Sequence, residues 1–119
     1  MTWNLFIDDE RFLDDVTWAP LKVQEKYRNE EWIICRTRAE VYSAIYQKGF
    51  PSYISFDHDL GENEDTGFDI TKMIVDMDMD KFRVMPEGFS FYVHSQNNVG
   101  KKNIESYLNN FMKHKTNTC

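Results

Sequence analysis

Four short apolar runs constrain this chain more than any other feature: each stops abruptly at polar residues, and each is separated from the next by room for a helix. They are Trp3-Asn4-Leu5-Phe6-Ile7, Trp32-Ile33-Ile34-Cys35, Tyr53-Ile54-Ser55-Phe56 and Phe89-Ser90-Phe91-Tyr92-Val93. A run that is apolar nearly throughout, rather than at alternate positions, suits a strand covered on both faces. Helical signals fill the gaps. From Arg11 to Glu31 the pattern is weak: Pro20 blocks a helix from its N-terminal side and leaves Leu21 to Arg28 room for two turns. Thr37-Arg38-Ala39-Glu40 is a capping box opening a helix with Val41, Ala44 and Ile45 on one stripe, stopped by Gly49 and Pro51. Ile70, Met73, Ile74 and Met77 recur at helical spacing, and Ile104, Tyr107, Leu108 and Phe111 do the same after the cap signal Asn97-Asn98. The lysine-rich tail beyond Met112 is expected to fray.

Strands alternating with helices imply a mostly parallel sheet of four to five strands in a three-layer α/β sandwich. With 119 residues, 41% of them hydrophobic, the chain fits one domain over residues 1–119. Right-handed crossovers bring the C-terminal ends of the strands to one rim, where open α/β sheets bind ligands. The residues just beyond those ends include Asp8, Asp9, Asp57, His58, Asp59, His94 and Ser95.

Carboxylates converging in one crevice repel each other unless a cation or proton intervenes. A hard divalent ion, Mg²⁺ or Mn²⁺, suits an oxygen-only donor set; singly, Asp8, Asp9 or Asp59 would equally well cap a loop or helix. His58 and His94 have the chemistry of a general acid and base pair, against the alternative that each only bonds the backbone. Ser95, Gln96, Asn97 and Asn98, followed by Gly100, form a small polar turn into a helix, either an anion site with Lys101 and Lys102 nearby or a plain cap. Arg11 and Arg36 follow strand ends and either clamp a ligand or pair with the acids. The acidic loop from Gly61 to Thr66 reads as a solvated edge.

A formal net charge of -6 argues against a broad grip on duplex nucleic acid or on an anionic membrane. No apolar stretch is long enough to span a bilayer, and no signal peptide is evident. Cys35 and Cys119 lack metal-ligand spacing and read as free thiols of a reducing, cytoplasmic setting. There is no GxxxxGK loop, no GxGxxG and no serine nucleophile elbow.

Two acids after the first strand, Asp8 and Asp9, one after the third, Asp57, and a hydroxyl after the fourth, Ser95, resemble a receiver domain. More narrowly, Asp8-Asp9-Glu10-Arg11, Asp57-His58-Asp59-Leu60-Gly61, Thr66-Gly67-Phe68-Asp69 and His94-Ser95 with Asn97 and Gly100 resemble the cyclic-phosphate processing receiver-like family. The resemblance runs over nearly the whole chain. It implies a flavodoxin-like or receiver-like sandwich, sheet order 2-1-3-4, and hydrolysis of a cyclic phosphate on a nucleotide or RNA end. In that reading Asp8, Asp9 and Asp57 hold Mg²⁺ or Mn²⁺. His58 and His94 act as acid and base in either order, with Asp59 orienting one imidazole. Ser95, Asn97, Asn98, Gly100, Arg11 and Arg36 hold the phosphate. Two features depart from the pattern: no fifth strand or terminal lysine follows Val93, and Asn98 stands where the family usually has proline. Capture of a phosphorylated ligand without chemistry, or a degenerate receiver acting through protein contact, are the alternatives. The expected partner is a small phosphorylated ligand or RNA end; no protein partner is indicated.

Overall fold

A computed structural model describes residues 3–60 and 65–117. Gly61, most of the acidic loop that follows it, and Cys119 lie outside the described residues. The four apolar runs become strands β1 (Asn4–Ile7), β2 (Trp32–Cys35), β3 (Tyr53–Phe56) and β4 (Ser90–Val93), all parallel and ordered β2-β1-β3-β4. Phe89 falls outside β4, in the turn where its N–H bonds the Pro86 carbonyl. Among the described residues the sheet has no fifth strand.

The helices are α1 (Leu21–Asn29), α2 (Arg38–Lys48), α3 (Gly67–Met79) and α4 (Asn98–Asn117), with a single 3₁₀ turn (Leu13–Asp15) before α1. Local chemistry sets their ends. Thr37 accepts the Glu40 N–H at 3.2 Å, and Thr66 and Asp69 form a reciprocal capping box. Gly49, at φ 85°, takes the left-handed conformation that ends α2. The expected fraying beyond Met112 is not what the structure shows. α4 continues to Asn117, because Phe111 and Met112 pack against the core and Lys115 pairs with the Asp78 carboxylate. No helix among the described residues is long and apolar enough to cross a membrane.

Strand alternation separates two cores. Leu5, Ile7, Ile54, Phe56 and Val93 pack with Val41, Ile45, Ile70, Ile74, Ile104 and Leu108 of α2, α3 and α4. On the other face Phe6 meets Val16, Ala19 and Tyr27, under α1 and the loop before it. The register Ile7↔Cys35, Ile7↔Phe56 and Phe56↔Val93 levels the strand ends. Asp8, Asp57 and His94 extend the ladder by one step each, their N–H groups bonding Cys35, Ile7 and Phe56 carbonyls. That common level is what brings the rim residues together.

Candidate functional site

The rim carries a cavity of about 320 Å³ lined by Asp9, Glu10, Arg11, Asp57, Asp59, Ser95, Gln96 and Asn97. A larger groove of about 850 Å³ runs between α2 and α3, past Arg38, Tyr42, Lys72 and Phe82, but no histidine and none of the strand-end acids line it. Volume alone therefore does not pick out the site; converging chemistry does.

Beneath the cavity lies a buried chain of polar groups. Tyr27 Oη is 2.7 Å from Ser55 Oγ, which is 2.7 Å from His94 Nδ1, and His94 Nε2 is 2.9 Å from Asp8 Oδ2. An ionised carboxylate only accepts, so Nε2–H donates to Asp8. Ser55 Oγ bridges the Tyr27 hydroxyl and His94 Nδ1, so the imidazole is held at both nitrogens. The ring also stacks on Phe6, centroids 4.7 Å apart and planes within 3°.

His94 is thus fully buried with both nitrogens engaged. The expected pair of histidines facing the ligand reduces to one, because the last residue of the β4 ladder turns its side chain inward, toward Ser55 on β3. Neither Tyr27 nor Ser55 was among the residues expected at the site. The only local signal is the hydroxyl that interrupts the apolar run of β3.

Asp8 is held on every side: Oδ1 accepts the N–H groups of Glu10 and Arg11 at 2.9 Å each, and Oδ2 meets His94. Burial by itself would raise its pKa. The hydrogen bonds from His94 and from the Arg11 and Glu10 amides outweigh it and keep the carboxyl well below the ordinary range. Asp57 goes the other way, raised first by burial and then by the charge of Asp8. Burial, with the charges of Asp8 and Glu10, also raises Asp9. Arg11 Nη1 supplies the counter-charge, 3.4 Å from Asp8 Oδ2 and 3.7 Å from Asp57 Oδ2. Arg36 is turned to the loop backbone, its Nη1 donating to the Asp8 and Arg11 carbonyls at 2.9 and 2.6 Å. It braces that loop instead of facing the cavity.

His58 stands between Asp57 and Asp59, two residues that line the cavity, with its own ring against Gly100. Its Nδ1 is 2.9 Å from Asp59 Oδ1, and Asn97 Nδ2 donates to the same carboxylate at 3.3 and 3.4 Å. These bonds, His58's foremost, lower the Asp59 pKa. With Asp59 ionised the proton of the pair sits on Nδ1, and Nε2 makes no hydrogen bond among the described residues. Two glycines make room for this arrangement. A Cβ on Gly100 would lie 2.3 Å from His58 Cγ, and one on Gly67 would lie 1.9 Å from the Asp57 carbonyl oxygen. Gly100, expected at the ligand, is first of all the seat of the His58 ring.

The turn into α4 is a cap: Ser95 Oγ accepts the Asn97 N–H at 3.1 Å, and Asn97 Oδ1 accepts the Gly100 N–H at 3.0 Å. The N–H groups of Asn98 and Val99 make no protein bond among the described residues, so an oxyanion above Asn97 would meet unspent donors. Asn98 itself is exposed, Lys102 is exposed, and Lys101 lies over the Tyr92 ring at 5.4 Å.

Asp8, Asp57 and His94 each offer a ligand atom within 4.8 Å of the others. His94 Nε2 already donates to Asp8, which leaves Asp57 the better-placed oxygen donor of the three; Asp9 lines the cavity but lies outside this close set. Arg11 holds the same place electrostatically.

A family model described as the cyclic-phosphate processing receiver domain matches residues 3–110. No curated protein and no solved structure matches the chain. The match spans all four strands and every rim residue described above, and by it the chain belongs to the cyclic-phosphate processing receiver domain family.

Proposed function

We propose that the rim hydrolyses a cyclic phosphate on a nucleotide or RNA end, with Mg²⁺ or Mn²⁺ bound by Asp57, Asp9 and Asp8. The family's name points to cyclic-phosphate processing, and one observation carries the reaction: the carboxylate of Asp59, a residue that lines the cavity, lies 2.9 Å from His58 Nδ1 and leaves Nε2 without a hydrogen bond among the described residues. A water oxygen attacks phosphorus, and the bond from phosphorus to one ring ester oxygen breaks. His58 Nε2 takes the proton that the water loses, and that proton passes to the leaving oxygen. The product is an acyclic phosphomonoester. Asn97 and the first amides of α4 hold the non-reacting phosphate oxygens. When bound, the cation neutralises phosphoryl charge and orients the water. His94 acts at one remove, by holding Asp8.

The burial of His94 favours a second reading, capture of a phosphorylated nucleotide without turnover, since a single open imidazole has to serve both proton transfers. Incubation with nucleoside 2′,3′-cyclic phosphates and Mg²⁺ separates the two. Hydrolysis is expected, falling roughly 10²- to 10⁴-fold in His58→Ala with the unfolding transition unchanged. Saturable binding with intact ligand recovered selects the second reading. Neither binding nor turnover overturns both.

A further inference from the structure

We infer that Trp18 is a stacking platform for the base of the ligand, so that the rim selects a nucleotide over other cyclic phosphates; the inference rests on the phosphate reading of the cavity. Trp18 lies on the loop between β1 and α1. It belongs to neither core, and 37% of it is open to solvent, whereas Trp3 and Trp32 are half-buried against the two cores. An exposed indole usually has freedom to move. This one does not, because Nε1 donates to the His94 carbonyl at 2.8 Å and ties the ring to the strand end that leads into Ser95 and Asn97.

Arg11 links the ring to the acids. Its guanidinium carbon is 5.1 Å from the Trp18 centroid, while its Nη1 reaches to 3.7 Å from Asp57 Oδ2. Ring, guanidinium and carboxylate thus follow one another. The guanidinium occupies one side of the indole. Through Nε1 the indole is anchored at the strand end that leads into Ser95 and Asn97, so a flat base laid on its exposed part would lie beside the cavity that those residues line. Because the ring is already immobilised, stacking costs little further ordering. Phe12 on the same loop is 60% exposed, with the Arg36 guanidinium 4.8 Å from its centroid. It offers a second flat surface to a longer ligand.

Calorimetric titration at fixed Mg²⁺ tests this with adenosine 2′,3′-cyclic phosphate, methyl riboside 2′,3′-cyclic phosphate, which lacks the base, and adenosine. The base is expected to tighten binding roughly 10- to 100-fold. Trp18→Ala should remove most of that preference without weakening the abasic ligand. Trp18→Phe, which keeps a ring but loses the N–H, should retain most of it. Equal affinity of the two cyclic phosphates in the unaltered protein, or a preference that survives Trp18→Ala, overturns the inference and leaves the phosphate reading standing. Adenosine binding that depends on Trp18, with no added affinity from the phosphate, does the reverse. Binding of none of the three overturns both. A dinucleotide ending in the same cyclic phosphate separates the sources: tighter binding that Phe12→Ala abolishes identifies an RNA end, and equal binding identifies a free nucleotide.

Discussion

Under α2, α3 and α4 the sheet presents Leu5, Ile7, Ile54 and Phe56, all buried and none polar, whereas under α1 the neighbours in register are Phe6 and Ser55. From Ser55 a hydrogen-bonded chain runs outward through His94 to Asp8 and inward to Tyr27. The first face gains stability from apolar burial and close packing. The second gives up part of that burial to hold one carboxylate ionised at the rim, in surroundings that would otherwise protonate it. Folding energy and site geometry are thus drawn largely from opposite sides of the same four strands.

The largest test of this contrast is on the apolar face. Ile74, fully buried, should cost about 2–5 kcal/mol on replacement by alanine, read by urea denaturation, with ligand affinity of the folded protein unchanged. A matching loss of affinity would break the division between the faces. On the polar face Ser55→Ala strands His94 Nδ1 and the Tyr27 hydroxyl, and about 1–3 kcal/mol should be lost; Tyr27→Phe should lose about 1 kcal/mol. Because the two act in one chain, the double variant should lose less than the sum, and strict additivity would mean that the chain is not coupled.

The smallest effect concerns charge. Asp57 has a pKa raised above its ordinary 3.8, so the folded state binds its proton more readily than the unfolded chain does. Its ionisation therefore opposes folding at neutral pH, and the penalty fades as pH falls through the raised value and then 3.8. Asp57→Asn should raise the melting temperature at pH 7 by on the order of a few degrees, with the gain shrinking toward zero in acid. Asp8 has the opposite sign. Its lowered pKa contributes stability above the ordinary carboxylate range that is lost as pH falls through it, so Asp8→Asn should lower the melting temperature at pH 7. Shifts of the same sign for both variants would contradict the electrostatics described here.

Much of this architecture is legible in the chain. The apolar runs mark the strands to within a residue, and Pro20, Thr37 and Gly49 mark helix ends through backbone chemistry that needs no distant partner. Asp9, Asp57, Asp59 and Asn97 reach the cavity because each lies within four residues of a strand end. The length of α4 is not legible in this way, since it depends on Lys115 meeting Asp78 of α3. Nor is the role of Arg36, which depends on two carbonyls of a loop that carries almost no pattern.

By itself the sequence determined a parallel sheet, its helices, and a rim of acids and imidazoles, since hydrophobic period, caps and breakers are local properties of the chain. Tertiary structure alone decided what each rim group does. His58 and His94 both follow strand ends directly or within two residues, yet Gly100 and Asp59 hold one, and Ser55, Phe6 and Asp8 enclose the other. The physical reason is that a polar side chain's role follows from its hydrogen-bond partners. Those partners come from other strands and helices, brought level only by the register of the folded sheet.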